Sequence, residues 1–254
     1  MSADPAKLDM ASIRYPSAPD GCTVYVVGDV HGCLDPLVGV QRLIDEDRAK
    51  SDPGHTAEIY LGDYIDRGPD SAGVVSRLIA RAREANAVFL RGNHDQMLLD
   101  FIDGADCLEQ WRALGGTATL LSYGVASSLL THSAPTEVVR DALNKNMPPE
   151  HLSFYDQTGS YMLVGPYLMV HAGIRPGVRL EDQKTADLLG IRQDFLQHDG
   201  DFDFIVVHGH TPVEAPELRR NRINIDTGAF ATNRLTCLRI GQDGVSLLGG
   251  GREP

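Results

Sequence analysis

The sequence predicts an α/β fold with a largely parallel sheet, and three observations point to it. Short apolar runs rich in β-branched residues end at glycine-bounded loops, which is typical of buried parallel strands. Helically spaced apolar residues separate these runs, so the order is β-α-β-α-β with right-handed crossovers. Closely spaced strand-like runs follow near the C-terminus. We place the first three strands at 22–27, 57–61 and 87–90.

Capping residues mark where the first two helices begin. Asp35 and Pro36 form an N-cap followed by proline at the first helical position. Pro69-Asp70-Ser71 begins the second helix. Between about 96 and 158 helical pieces are broken by glycines and prolines, so we interpret this range as a helical insertion beside the site. Further strands are predicted at 160–164, 167–171, 203–207, 222–226, 234–240 and 244–248, and a helical stretch at 181–198.

Length and composition indicate one soluble domain that does not bind nucleic acid or an anionic membrane. The chain has 254 residues and a formal net charge of −12, which argues against binding to nucleic acid or to an anionic membrane. The four cysteines include no CxxC pair, as expected for reduced thiols. Neither a signal peptide nor a membrane-spanning run is visible, so we expect a cytoplasmic protein. We predict a mobile lead-in over 1–20 and one domain over 21–254.

Side chains able to bind metal follow five of the predicted strands. In open α/β sheets ligands bind beyond the carboxyl ends of the strands, so we expect these side chains to converge. Oxygen and imidazole ligands without thiolates favour Mn, Fe or Zn. Six ligands are too many for one open metal site, but they suit two ions that share a carboxylate and clamp oxygens at phosphorus. The six candidates are Asp29, His31, Asp63, Asn93, His171 and His210.

These residues lie in five blocks that occur in a fixed order along the chain. The blocks are GDVHG at 28–32, GDYIDRG at 62–68, RGNHD at 91–95, HAG at 171–173 and GHT at 209–211. One such block is weakly specific, whereas five in order are very specific. Over about residues 22–240 the sequence resembles the PPP family of metallophosphatases, within the calcineurin-like metallophosphoesterase superfamily. The resemblance implies a β-sandwich of two mixed sheets flanked by helices, in four layers α/β/β/α, with a helical insertion.

The resemblance also implies how the metal ligands are shared. Asp29, His31 and Asp63 would bind the first of two divalent ions. Asp63 would bridge to the second ion, completed by Asn93, His171 and His210. A metal-bridging hydroxide would then attack phosphorus in line, without a phosphoenzyme. Manganese is the expected metal, with iron or zinc as alternatives.

Other charged residues in these blocks suit substrate binding and proton transfer. His94 follows a metal ligand and is free to face the substrate, and the carboxylate of Asp66 would raise its pKa and fix its tautomer. We therefore predict that His94 is the general acid. Arg67 and Arg91 offer forked donors for phosphate oxygens. In the family a later arginine completes the clamp, and we assign it to Arg192.

The reaction predicted first is the hydrolysis of phosphomonoesters on proteins. Asp66-Arg67 matches the DRG of the protein phosphatases, and Thr211-Pro212 replaces the second histidine of the GHxH found in diesterases. We expect a bacterial-type serine/threonine phosphatase that acts on a phosphoprotein or phosphopeptide without a regulatory subunit. The alternative is a dinucleoside polyphosphate hydrolase, which shares the GPDS continuation at 68–71. A metal-free binding scaffold is disfavoured because all six ligands and His94 are present.

Three further positions have ordinary structural interpretations. We expect His208 to be structural or to support the site, and His210 to be the ligand. Trp111 is expected in the core. Asp226 in Asp226-Thr227-Gly228 is left open between a turn residue and a residue that supports the site.

Overall fold

Two five-stranded mixed sheets form the centre of the fold. The computed structural model describes residues 14–50 and 54–248. In the first sheet three parallel strands lie beside an antiparallel pair, in the order β10-β9-β1-β2-β3. The strands are β1 Cys22–Val27, β2 His55–Tyr60, β3 Ala87–Phe89, β9 Cys237–Gly241 and β10 Gly244–Leu248. Each predicted strand is present in this sheet, with bounds that differ by at most three residues.

The second sheet carries the later site loops. Its order is β4-β5-β6-β8-β7, in which β5, β6 and β8 run parallel. The strands are β4 Tyr161–Val164, β5 Tyr167–Val170, β6 Ile205–His208, β7 Glu217–Leu218 and β8 Arg222–Asn224. The sequence does not predict β7, because two residues are too few to show a period.

Strand β1 shows how alternation builds the layers. Val24 and Val26 face the apolar core between the two sheets, whereas Tyr25 and Val27 face the core under the helices. Fully burying one such valine stabilises the fold by roughly 1.5–3 kcal/mol. A third core, around Phe195, covers the outer face of the second sheet. The layers are therefore α/β/β/α, which confirms the predicted fold class.

The helices lie on the outer faces of the sheets and in the insertion. The first, α1, begins at Leu34, so Asp35 and Pro36 lie in its first turn rather than at the predicted N-cap. Asp70 does cap α2, since its Oδ1 accepts from the Gly73 N–H at 2.8 Å. The predicted insertion at 96–158 corresponds to five helices. The helices are α1 Leu34–Lys50, α2 Ser71–Glu84, α3 Asn93–Ile102, α4 Leu108–Ala113, α5 Gly116–Ser122, α6 Thr136–Asn146, α7 Pro149–Asp156, α8 Thr185–Gly190, α9 Gln193–Leu196 and α10 Ala229–Thr232.

The helical stretch predicted over 181–198 is present, but it is divided into short pieces. The range contains the end of a 3₁₀ turn, then α8, then α9. The interruption lies at Gln183, whose backbone is extended (φ −64°, ψ 136°). Its side chain binds the backbone of Arg175, accepting from the N–H at 2.8 Å and donating to the carbonyl at 3.0 Å.

Part of the predicted lead-in contacts the body of the fold. Residues 1–13 lie outside the described residues. The Tyr15 hydroxyl donates to the Arg219 carbonyl at 2.9 Å, and the Ala18 N–H donates to the Gly241 carbonyl at 3.0 Å. These bonds hold residues 15–18 against both sheets. In the ranges 14–50 and 54–248, none of the helices combines the length and the apolar character needed to cross a membrane.

Candidate active site

The loops that follow the strands hold their side chains in an uncommon backbone conformation. Six non-glycine residues of the described chain have positive φ, and five of them belong to the predicted site. Such a conformation costs on the order of 1–3 kcal/mol per residue and persists where the surroundings enforce it. The five are His31 (φ 47°), Asp63 (52°), Asp66 (72°), Arg67 (68°) and His210 (64°).

Asn93, His171 and His210 converge on one point. Asn93 Oδ1 lies 2.7 Å from His210 Nδ1 and 3.1 Å from His171 Nε2. The other nitrogen of His171, Nδ1, donates to the Leu61 carbonyl at 3.1 Å, so Nε2 of the neutral ring carries a lone pair. Asp63 Oδ1 lies 3.5 Å from the same Nε2. Lone pairs that face one another in this way fit a cation between them.

His31 and Asp63 form a second group on the other side of Asp63. His31 Nδ1 donates to the Ile65 carbonyl at 2.9 Å, which leaves the lone pair of Nε2 facing Asp63 Oδ2 at 3.5 Å. Two clusters of candidate ligand atoms, each within 4.8 Å, therefore share Asp63. The first cluster contains His31 and His94, and the second contains His171 and His210.

Asp29 lies beside these clusters rather than in them. Its Oδ2 accepts from the His210 backbone N–H at 3.0 Å, and its Oδ1 is buried without a partner. A buried carboxylate oxygen without a partner is costly, so this orphaned atom fits a metal ligand. A Cβ at Gly209 would overlap Asp29 Oδ1, and only glycine allows this approach. The six residues together fit two divalent ions.

Burial and neighbouring charges shift the pKa values of these candidate ligands. Burial, together with the charges of Asp226 and Asp63, raises the pKa of Asp29 well above its ordinary value. Burial lowers the pKa of His31 and of His210 to about 3. Neutral imidazoles and clustered carboxylates are the forms that bind metal, and a bound ion would relieve the repulsion between the carboxylates.

His94 and Asp66 form a hydrogen-bonded pair at the edge of the first cluster. His94 Nδ1 lies 2.6 Å from Asp66 Oδ2, so the ring is oriented with Nε2 towards the site, 4.0 Å from Asp63 Oδ2. Burial opposes the charged ring, but the charge of Asp63 and the bond to Asp66 raise the pKa of His94 above its ordinary value. The pair fits a proton donor whose Nε2 points into the site.

Two of the three predicted phosphate-binding arginines lie near these groups. Arg67 donates to His31 Nε2 at 3.0 Å and to His94 Nε2 at 2.9 Å. Arg192 donates to the Thr211 hydroxyl at 3.3 Å, next to His210. Both guanidinium groups are therefore placed to meet a phosphate held at the clusters.

The structure does not bring Arg91 to the other site residues. Its guanidinium donates to the Thr158 hydroxyl at 2.8 Å, to Gln96 Oε1 at 3.1 Å and to the Tyr155 carbonyl at 2.7 Å. These acceptors belong to the helical insertion and its exit, so the insertion turns this side chain away from the clusters. The assignment of Arg91 to phosphate binding is not supported by this geometry.

With this geometry established, the chain can be compared with known proteins. The profile of the calcineurin-like phosphoesterases matches residues 22–239, most of the chain. The chain belongs to the calcineurin-like phosphoesterase family. Members of this family use divalent metal ions.

The relatives of this phosphoesterase carry names that differ from the first prediction. The bis(5'-nucleosyl)-tetraphosphatase PrpE [asymmetrical] of Anoxybacillus flavithermus is 26% identical over 84% of this chain and 89% of its own length. The protein of that name from Bacillus subtilis is 29% identical over 85% and 89%. These names match the alternative that the sequence analysis places second.

Solved structures share the fold of this phosphoesterase at low identity. A proposed diadenosine tetraphosphatase superimposes with a TM-score of 0.63 at 18% identity and covers 95% of this chain and 100% of its own. A serine/threonine phosphatase from Saccharomyces cerevisiae superimposes with a TM-score of 0.56 at 13% identity, over 92% and 81%. The two likenesses concern the fold.

His208 and His210, near the end of β6, have different surroundings. His208 lies edge-on to the Phe195 ring at 4.9 Å and is not part of the metal-ligand clusters of this phosphoesterase.

Asp226 Oδ1 accepts from the Gly228 N–H at 2.9 Å, as in a turn, while its charge raises the pKa of Asp29. Asp226 thus closes a turn and also faces the site.

Sequence reasoning misses the role of Asp95, although it belongs to the RGNHD block. Its Oδ2 accepts from the backbone N–H groups of Asp63 at 2.8 Å and Gly92 at 2.9 Å, and its Oδ1 accepts from Tyr64 at 3.1 Å. One buried carboxylate therefore joins the loop after β2 to the loop after β3. The sequence indicates this role of Asp95 only through its position in the RGNHD block.

Trp111 lies in the core of this phosphoesterase, as predicted, but it also contacts the site. Its Nε1–H lies 2.9 and 3.0 Å from the two Asp66 oxygens. The Thr119 hydroxyl donates to Asp66 Oδ1 at 2.6 Å. These donors from the insertion keep the Asp66 carboxylate oriented towards His94. A tryptophan 45 residues away in sequence gives no local indication of this contact.

Trp111→Phe should lower kcat about tenfold while the metal content stays unchanged. The substitution keeps an aromatic ring but removes the N–H, and a hydrogen bond to a charged group contributes about 1.5–3 kcal/mol. Steady-state kinetics and metal analysis of the purified variant test this. The matched control is Phe101→Leu beside Trp111, which alters packing without altering Asp66. Equal losses of kcat in both variants would contradict the role.

Proposed function

We propose that this phosphoesterase hydrolyses dinucleoside tetraphosphates asymmetrically. The observation that carries the proposal is the match to proteins of that name over 84–85% of this chain and 89% of theirs. In the reaction water adds across one phosphoanhydride bond, and the products are a nucleoside monophosphate and a nucleoside triphosphate. The protein phosphatase predicted first becomes the second candidate.

The site residues divide this reaction into binding and proton transfer. When bound, two divalent ions, for which we propose manganese, supply Lewis-acid stabilisation and an activated water. The six predicted ligand residues would hold these ions. Arg67 and Arg192 orient the phosphate oxygens through forked donors. His94 Nδ1 donates to Asp66, which keeps Nε2 directed towards the site. Arg67 donates to Nε2 in this structure, and Nε2 would carry the proton for the leaving group once Arg67 binds phosphate instead.

One observation favours the second candidate, a serine/threonine protein phosphatase. A phosphoserine ester expels an alkoxide, which needs a proton as it leaves, whereas a phosphoanhydride expels a phosphate that needs none. The buried Asp66–His94 pair is built for such a proton transfer. The two candidates therefore make different demands on the same pair.

A direct comparison of substrates tests the proposal. The purified protein with manganese receives diadenosine tetraphosphate and a phosphoserine peptide in parallel, and products are separated by chromatography. We expect AMP and ATP, with kcat/KM at least about tenfold higher for the dinucleotide. Preferential hydrolysis of the peptide would establish the second candidate, and two molecules of ADP would contradict asymmetric cleavage. A chelator-treated sample is the control.

Arg67→Ala should raise KM for the dinucleotide about 10- to 100-fold and leave the metal content unchanged. Its guanidinium lies within hydrogen-bonding distance of His31 and His94, and each charge-assisted bond to phosphate contributes about 1.5–3 kcal/mol. Arg91→Ala is the matched control, because it removes the same charge from a side chain directed at the insertion. An equal rise of KM in both variants would contradict the assignment.

A further inference from the structure

Phe230 is an exposed aromatic residue at the rim of the metal clusters. The structure describes all seven phenylalanines, and six of them are buried or half-buried, whereas Phe230 is 40% exposed. The Arg67 guanidinium carbon lies 4.7 Å from the centre of its ring. The His31 ring meets it edge-on at 5.4 Å. Phe230 therefore contacts one metal ligand and one phosphate-binding arginine, and part of its surface stays open to solvent.

The short segment that carries Phe230 is held by several hydrogen bonds. The Thr232 hydroxyl lies 2.8 Å from the Thr227 carbonyl and 3.0 Å from the Gly228 carbonyl. Helix α10 starts at Ala229, which is buried, and ends before Asn233, whose N–H donates to the Ala229 carbonyl at 2.8 Å. The exposed ring is thus presented from a fixed turn rather than from a loose loop.

We propose that Phe230 determines specificity by stacking with a nucleobase of the substrate. This inference rests on the proposed function and names the part of the substrate that the exposed ring would recognise. A phosphate bound by Arg67 lies next to the ring, and in a 5'-nucleotide only the ribose separates that phosphate from the base. Proteins bind the faces of nucleobases through aromatic side chains that lie beside a positively charged phosphate site.

A simpler role for Phe230 is to hold Arg67 through a cation–π contact. That role predicts an equal effect on every phosphate ligand, because the phosphate is the only part of the ligand that Arg67 would contact. Base stacking predicts an effect that depends on the base. AMP and ribose 5-phosphate differ by the base alone, so a comparison of the two separates the roles without requiring turnover.

The test measures dissociation constants of AMP and ribose 5-phosphate by calorimetry with the manganese-loaded protein. We expect the wild type to prefer AMP, and Phe230→Ala to reduce that preference about tenfold, as for the loss of one stacked base. Phe230→Trp should retain or increase the preference, and its fluorescence should be quenched by AMP but not by ribose 5-phosphate.

Two results would overturn the stacking role. One is a wild type that binds the two ligands equally, and the other is a Phe230→Ala variant that weakens both to the same extent. Because these are binding measurements, they stay separate from the proposed function. If the base preference depends on Phe230 but the tetraphosphate is not cleaved, the proposed reaction fails and the base site stands.

Discussion

Asp63→Asn should abolish hydrolysis and the binding of both metal ions together. Asp63 Oδ1 lies 3.5 Å from His171 Nε2, and its Oδ2 lies 3.5 Å from His31 Nε2. It is the one residue shared by both ligand clusters of the described chain. An amide keeps the size but removes the charge, so both ions lose the carboxylate that they share, and the second ion has no other carboxylate among its predicted ligands. The loss of activity should exceed about 100-fold, the upper range for a residue that merely supports a metal ligand.

Metal analysis and thermal unfolding check this result without relying on turnover. A ligand at 100 times its Kd stabilises the folded state by about 2.7 kcal/mol, which raises Tm by roughly 5–10 °C for a domain of this size. Manganese should raise Tm in the wild type and leave it unchanged in Asp63→Asn. Asp70→Asn is the matched control, since asparagine also caps helices and this residue caps α2. An Asp63→Asn protein that binds two ions would contradict the shared role.

The convergence of the ligands was predictable because topology determines it. Short apolar runs locate the strands, and the carboxyl ends of neighbouring parallel strands gather at one place. Asp63 and Asn93 follow adjacent strands, β2 and β3, while His171 and His210 follow β5 and β6 of the facing sheet. The structure brings these predicted ligands together, and only Asp29 lies beside the clusters rather than within them.

Side-chain direction was not predictable, because long-range contacts decide it. Arg91 follows a strand end like the ligands do, but its acceptors Tyr155 and Thr158 lie 64 and 67 residues away. Trp111 reaches Asp66 across 45 residues. Both contacts depend on how the insertion packs, and no local pattern encodes that packing.

The names of the relatives favour the alternative substrate class over the one that the sequence predicts first, and the difference has a related physical reason. The sequence prediction depends on the Asp66-Arg67 pair as a feature of protein phosphatases. In the structure Asp66 binds His94, Trp111 and Thr119, so its direct role concerns a proton donor. A proton donor indicates what kind of oxygen leaves, not what is attached to it. The groups that would contact the rest of the substrate, such as Phe230, lie outside the sequence blocks.

His94→Asn should slow hydrolysis of phosphoserine about 10²- to 10⁴-fold, the usual contribution of a general acid, and leave both metals bound. Asparagine has no proton that it can give to a leaving alkoxide. The same substitution should have less effect on an aryl phosphate, whose leaving group is stable without a proton. Turnover of both substrates and the metal content are measured, with His132→Asn, an exposed histidine paired with Glu109, as the control.

The losses of activity that His94→Asn causes on different substrates distinguish the two candidate functions. If diadenosine tetraphosphate is the substrate, its leaving phosphate also needs no proton, so His94→Asn should affect its cleavage as little as that of the aryl ester. A large loss on the dinucleotide would mean that His94 also stabilises charge on the phosphate oxygens, together with Arg67, to which it is hydrogen-bonded at 2.9 Å. Wild-type activity of His94→Asn on phosphoserine would remove the general acid from the mechanism, because no leaving group depends more on a proton.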